Sequence, residues 1–343
     1  METLLKKLVD ANAISGFEDN IREVIKKEIS GHVNGFRVDK VGNLIARKGS
    51  GKPIIMLVGH MDVLGLMVKY IDDKGFIRFE MVGGWDERVL PGQKVRIHGS
   101  KGSLVGVIGS KAIHLQDRKE EKLPYKAKDL FIDVGASDRK EVEKAGVGVG
   151  DYITRYSEFN KLLGSKVTAA GFDNRVGCSV LIEATKQLKK FKGTLYTVWT
   201  VQEETGLVGV RGSVFGVNPD VVLAVDVGLP GDSPETKPEE SDVKLGKGPV
   251  LTLKDALSFI NPEVKKWVLD AAKKLKMDMQ YSVMSGGAAE GSMPAIIREG
   301  IPAGSLEVPN RYMHTPVEVV DINDMKQTVK LVVECVKTAD NYF

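Results

Sequence analysis

Apolar positions follow two different rhythms along the chain. Near the start, Ile21, Val24, Ile25 and Ile29 fall at helical spacing behind the acidic pair Glu18-Asp19, which predicts an amphipathic helix. A first helix begins at Met1-Glu2-Thr3-Leu4-Leu5-Lys6-Lys7. Gly35 to Arg47 then carries two short strand-like runs. Pro53 to Gly59 (PIIMLVG) is a continuous apolar run closed by glycine, the pattern of a strand buried on both faces of a parallel sheet. His60 follows it directly.

From about Leu66 to about Leu163 the rhythm changes to short alternating runs broken by Gly and Asp. Met67–Tyr70 and Phe76–Phe79, separated by Asp72-Asp73-Lys74-Gly75, predict a hairpin. Similar runs occur at Gln93–His98, Ser103–Gly109, Asp129–Val134 and Gly150–Arg155. Such strands with glycine turns point to a small β-barrel, with Arg118–Lys128 as a charged loop inside it. After Gly171 the first rhythm returns. Helices are expected over Asp173–Lys190, Pro262–Lys276 and Asp321–Phe343, and apolar strands at Leu195–Val201 and Val221–Val227, with Lys237–Gly248 a polar loop. The expected architecture is therefore α/β: a mixed sheet flanked by helices, built from residues 1–65 and 164–343, with a β-barrel inserted at 66–163.

Composition narrows the classes of function. The 343 residues carry 49 Lys+Arg against 46 Asp+Glu, a net charge of +3 with no basic excess of the kind nucleic-acid partners require. No segment reaches the roughly 18 apolar residues of a membrane span, and the N-terminus lacks a signal peptide's apolar run. Only Cys178 and Cys335 occur, too few for a disulfide framework or a cysteine zinc cage, and both are expected as inert core. The expected setting is cytoplasmic, without nucleic-acid or membrane partners.

Ligands of open α/β sheets sit beyond the carboxyl ends of the strands, so the residues after each apolar strand matter most. They are His60-Met61-Asp62, Gln202-Glu203-Glu204, Asp226 and, after LEVPNRYM, His314; Asp173 opens the helix that follows the barrel. Two histidines and five carboxylates can thus converge on one sheet edge. Like charges packed together need cations, and mixed His/carboxylate donors suit zinc or cobalt. Two such ions would form a hydrolytic centre that activates water. Taken singly, each residue has a plainer reading: His60 as a hydrogen-bonded histidine, Glu203-Glu204 as a solvated face, Asp226 as a helix cap. His32, His98 and His114 have no comparable setting.

His60-Met61-Asp62, Phe172–Cys178 (FDNRVGC), Val201–Gly206 (VQEETG), Asp226-Val227 and Arg311–Asp321 (RYMHTPVEVVD) together resemble the tetrahedral (TET) or deblocking aminopeptidases. These are dinuclear metallopeptidases of clan MH, some of which carry a glutamyl aminopeptidase or endoglucanase label. The resemblance runs from Ile14-Ser15-Gly16 to the C-terminal helix. It implies two divalent ions per subunit. Asp173 would bridge them, His60 and Asp226 would complete one site, and Glu204 and His314 the other. Asp62 would orient His60, and Glu203 would act as general base and then as proton donor to the leaving amine. It also implies short peptide substrates, dimers formed through the barrel and a tetrahedral dodecamer.

Three departures from the family pattern stand out. Val63 replaces a common Glu or Gln, Asn174 replaces a second Asp, and Ala288-Ala289-Glu290 replaces a Thr-Thr-Asp stretch that lines the substrate pocket. Gly287 and Glu290 are accordingly candidate substrate-binding residues. Glu290, longer than Asp, is expected either to fill the pocket and favour N-terminal Gly or Ala, to sit free at its base and favour Lys or Arg, or merely to cap the following helix. The rival functions are a carboxypeptidase or deacylase on the same two-metal site, a non-catalytic assembly protein with a vestigial site, and a glycosidase.

Overall fold

Two amphipathic helices open the chain in a computed structural model that describes residues 1–116 and 123–343. Helix α1 (Glu2–Val9) buries Leu4, Leu5 and Leu8, and α2 (Asp19–Ile29) buries Ile21, Ile25 and Ile29. Strands β1 (Gly35–Val38), β2 (Leu44–Ser50) and β3 (Ile54–His60) follow. From Ile55 onward every residue of β3 is buried, as its unbroken apolar run requires.

The alternating region closes on itself. Strands β4 (Gly65–Ile71), β5 (Ile77–Val82), β6 (Lys94–Gly99), β7 (Gly102–Gly109) and β8 (Phe131–Asp133) precede a short helix, α3 (Arg139–Lys144), and β9 (Tyr152–Arg155). They form a closed barrel in the order β4-β5-β8-β7-β6-β9. Its inward residues, among them Leu66, Ile77, Val95, Ile97 and Ile153, make a core separate from the rest of the molecule. Residues 118–122 of the charged loop expected at 118–128 lie outside the described residues. Its described end runs into a 3-10 turn at Ala127–Asp129.

The remaining elements return to the first sheet. They are β10 (Asn160–Lys161), β11 (Lys166–Ala169), α4 (Phe172–Gln187), β12 (Gly193–Thr200), α5 (Val208–Val217), β13 (Val221–Gly228), β14 (Val250–Lys254), α6 (Pro262–Lys274), β15 (Gln280–Val283), β16 (Ala303–Arg311), β17 (Glu318–Asp321) and α7 (Ile322–Thr338). The sheet is mixed, with eleven strands in the order β1-β2-β12-β3-β13-β16-β17-β11-β10 and β14-β15 branching from β16. Its middle, β12-β3-β13-β16, is parallel, so four strands end on the same edge. Helices α1, α2, α4, α6 and α7 cover one face through a core that includes Leu57, Leu181, Trp199, Leu223 and Trp267. Helix α5 and the 3-10 segment Glu290–Ile296 cover the other. The expected mixed sheet with an added barrel is what the chain forms. Among the described residues, no helix is long and apolar enough to cross a membrane.

Helix α5 was not expected from the sequence. Its ten residues, VGVRGSVFGV, combine glycine with β-branched side chains, a poor helix composition. Packing explains it: a Cβ at Gly209 would lie 2.5 Å from the Val201 carbonyl oxygen, so only glycine lets the helix dock against the segment that carries Glu203 and Glu204.

Candidate metal centre and active site

The parallel middle of the sheet sets the site. Strand β3 delivers His60 at its last position, β12 runs into Gln202-Glu203-Glu204, β13 carries Asp226, and His314 follows β16. Asp173 enters from the first turn of α4. These side chains form two clusters of three donors, His60/Asp173/Asp226 and Asp173/Glu204/His314. Asp173 belongs to both. Its Oδ1 lies 3.1 Å from His60 Nε2 and its Oδ2 lies 3.2 Å from His314 Nε2. Asp226 Oδ1 is 3.7 Å from His60 Nε2, and Glu204 Oε2 is 3.6 Å from His314 Nε2.

Each imidazole is oriented by an acceptor behind it. His60 Nδ1 lies 3.1 Å from the main-chain oxygen of Asp62 and 3.5 Å from its carboxylate. His314 Nδ1 lies 2.8 Å from the carbonyl oxygen of Gly84. Carbonyls only accept, so Nδ1 carries the hydrogen in both rings and Nε2 turns its lone pair to the cluster. Asp62 does more than orient a ring. Its two carboxylate oxygens accept from the Glu203 and Glu204 amides at 3.0 and 3.1 Å, and Ser15 Oγ donates to it at 2.6 Å. Asp62 therefore ties β3 to the segment after β12. The neighbouring Gln202 adopts a left-handed φ of 54°, and Glu18 accepts from its amide at 3.1 Å. Asn43 accepts from the Val201 amide at 3.0 Å.

On the far side, buried Glu318 supports Asp173. It accepts from the Asp173 and Gly171 amides at 2.9 and 3.0 Å and from Asn310 Nδ2 at 2.9 Å. Arg155, the last residue of barrel strand β9, reaches across to Glu318 at 3.4 Å and to the Thr315 carbonyl at 3.1 Å. Asn174 bridges α4 and β13 by donating to the Val225 carbonyl. Fully buried Arg175 donates to the carbonyls of Met61, Ala11 and Ala13. None of Glu318, Gly84, Ser15, Glu18 or Asn43 was singled out from sequence. Glu318 and Ser15 lie inside recognisable motifs; Gly84 acts only through its backbone, which leaves no sequence signal.

The electrostatics call for cations. Burial pushes Glu203, Glu204 and Asp226 up, and neighbouring carboxylates add to the effect. Burial opposes charge on His60, but Glu203, Asp173, Asp226 and Asp62 outweigh it and hold the ring well above its ordinary range. Asp173 is drawn down against its burial by His314 and His60. Divalent ions would relieve this crowding by taking the place of protons. Glu204 Oε1 is buried without any hydrogen-bond partner, a cost that a bound cation beside this carboxylate would offset. Imidazole and carboxylate oxygen suit a borderline divalent ion. The residues present fit the group.

These residues border a cleft of about 390 Å³ that also meets Gly228, Met284 and Gly286–Ala289. Gly287 lines it as expected, but Glu290 does not. Glu290 is 1% exposed and hydrogen-bonded to the Thr200 hydroxyl, so it neither enters the cleft nor caps the 3-10 segment, whose cap residue is Ala289. The reason is the strand end it meets: Thr200 pairs with His60 in the sheet, and its hydroxyl draws Glu290 beneath the site. A different carboxylate, Glu307 on β16, reaches the cleft; burial pushes it up to about 8.

Residues 42–331 match the M42 glutamyl aminopeptidase family. The chain belongs to that family. It is 33% identical to the lysyl aminopeptidase of Pyrococcus furiosus over 96% of this chain and 94% of the relative. The TET aminopeptidase of a marine-sediment Thaumarchaeota archaeon superposes with a TM-score of 0.96 at 35% identity, covering 99% of this chain and 98% of the other. The TET1 peptidase of Pyrococcus horikoshii, which can assemble into a tetrahedron or a large octahedral shell, gives 0.89 at 34% identity over 97% and 98%. The M42 chain is thus an aminopeptidase of a metal-dependent peptidase family, as its motifs implied.

Proposed function

We propose that the chain removes N-terminal residues from short peptides with two divalent ions per subunit, zinc or cobalt. The observation that carries this is the single carboxylate Asp173 shared between two three-donor clusters, with Glu203 beside them. His60, Asp173 and Asp226 would hold one ion, and Asp173, Glu204 and His314 the other. When bound, such a pair supplies Lewis acidity toward the peptide carbonyl and lowers the pKa of the attacking water.

The protein's own residues do the rest. Glu203 lies 4.0 Å from His60 Nε2, at the rim of the first cluster, and is itself no member of either. It takes the proton of the attacking water and returns it to the leaving amine as the C–N bond breaks. Asp62 holds the Glu203 amide and so fixes the base relative to His60. The cleft is bordered by no Lys or Arg among the described residues, which disfavours a carboxypeptidase, since that activity needs a cation for the substrate's free carboxylate.

The expected preference for Gly or Ala rested on Glu290 filling the pocket, and the burial of Glu290 on Thr200 removes that support. Self-association into dimers through the barrel, and on to a dodecamer, is supported by the assembly of the Pyrococcus horikoshii relative and by apolar side chains left in solvent, such as Leu163, Leu115 and Ile113. A cytoplasmic setting is supported by the two cysteines, both unpaired and buried. The test of function is prolonged chelation followed by restoration with Zn²⁺ or Co²⁺, read on free-amine and N-acetylated forms of the same peptides. Metal-dependent cleavage confined to the free-amine form supports the reading. Cleavage of the acetylated form at an equal rate contradicts it.

A further inference from the structure

Glu307 has no part in the metal clusters, yet it occupies the cleft beside them. It sits directly opposite Asp226 in the parallel pairing of β13 and β16, so the two side chains leave the same face of the sheet. It is 2% exposed, and its Oε2 has no hydrogen-bond partner. The space it fills is kept open by Gly228, where any Cβ would collide with that same oxygen. Apart from the clustered histidines and carboxylates, the cleft it borders is lined by small or apolar residues, including Val227, Leu229, Met284, Gly287 and Ala288.

A buried carboxylate without a counter-charge is costly. No Lys or Arg borders the cleft among the described residues. Two divalent ions would already be matched by Asp173, Glu204, Asp226 and Glu203. Unpaired, Glu307 is held toward its neutral form by burial, and a cation arriving with the substrate would supply the counter-charge it lacks.

Resting on the aminopeptidase reading, we infer that Glu307 receives the side-chain cation of the substrate's N-terminal residue and makes the enzyme selective for Lys and Arg. Glu307 lies one strand beyond Asp226, about 4.8 Å further along the sheet edge. The aliphatic stem of Lys or Arg spans that distance from an N-terminal residue held at the ions. Its methylenes lie against Met284 and Leu229 while the charged tip meets the carboxylate. An acidic N-terminal residue would bring like charge to the same point, so the family's glutamyl label does not extend to this cleft. A neutral residue of equal length would leave Glu307 unpaired, and sites built around a buried polar partner reject such analogues strongly.

The deciding comparison is Lys against norleucine, which share a stem and differ in the ammonium group. kcat/KM is measured for Lys-, Arg-, norleucine- and Glu-reporter substrates on the metal-loaded full chain and on Glu307→Gln and Glu307→Leu, with bound metal counted in each protein. The wild type should favour Lys over norleucine by at least about 10²-fold, and both variants should lower that ratio by about 10-fold or more while retaining their ions. A wild-type ratio near one overturns the inference even if a variant fails to fold. So does a loss that strikes Lys and norleucine equally, which would assign Glu307 to the α-amine instead. If the fully loaded wild type cleaves no aminoacyl reporter at all, the aminopeptidase reading itself fails, and the selectivity claim falls with it.

Discussion

Around His60 and Asp226 every donor is buried, and each support comes from the sheet domain: Asp62 behind His60, Ser15 behind Asp62. Around His314 and Glu204 the arrangement is different. The His314 side chain is 34% exposed, its Nδ1 is held by Gly84 between barrel strands, and its loop is tied down by Arg155 from the barrel wall. One three-donor cluster is thus supported from within the sheet, while the other also draws support from the barrel. The barrel contributes no side chain to either cluster, yet Gly84 and Arg155 hold the loop that carries His314. The comparison teaches that two donor clusters sharing one carboxylate can differ in burial and in the elements that hold them.

The largest change should come from erasing the feature the clusters share. Asp173→Ala removes a donor from both clusters, so both ions should be lost by metal analysis and turnover should fall further than in any other variant. Glu203→Gln leaves both clusters intact. It should retain two ions while losing turnover by roughly 10²–10⁴-fold, the usual contribution of a general base. Near-normal turnover would remove Glu203 from the mechanism.

A smaller effect should separate the clusters. Arg155→Met cuts the ties to Glu318 and Thr315 without touching a donor. Supporting partners of metal ligands are worth roughly 10–100-fold in affinity. Calorimetric titration should therefore show one ion-binding step weakened more than the other, because the His314 loop loses a direct tie while the His60 cluster is reached only through Glu318 and the shared Asp173; equal weakening of both steps would erase the distinction.

The smallest effect concerns Glu18, which props the segment after β12. Burial raises its carboxyl to about 7, above an unfolded value of about 4.3. The folded chain then binds the proton more tightly, so this group's contribution to stability is present at low pH and declines as pH rises from about 4.3 through 7. Denaturant unfolding of metal-free protein at pH 5 and pH 8 should show Glu18→Gln losing less stability across that window than wild type, by on the order of 1–3 kcal/mol. An identical pH dependence would contradict the assignment.

Much of this was legible in the sequence because burial leaves a pattern. The apolar runs became β3, β12 and β13, and the alternating runs became the barrel. Four of the five candidate donors drew notice because they end or follow strands of the sheet, where the backbone brings them to its edge; Asp173 instead opens α4. What the sequence concealed was of a different kind. Helix α5 forms against its own propensity because Gly209 fits under Val201. Glu290 and Glu307 are both buried acids, and no local pattern says which one faces the cleft; strand register decides, pairing Glu307 with Asp226 while Thr200 draws Glu290 away. Gly84 acts through a carbonyl that any residue could supply.

The central claim is that two ion positions share Asp173 and that both must be filled for hydrolysis. Metal-stripped protein titrated with Zn²⁺, with bound metal and aminopeptidase rate followed together, tests it most directly. The account predicts two binding steps of unequal affinity, with turnover appearing only as the second step fills. Full activity at one ion per chain, with no second step, would contradict it.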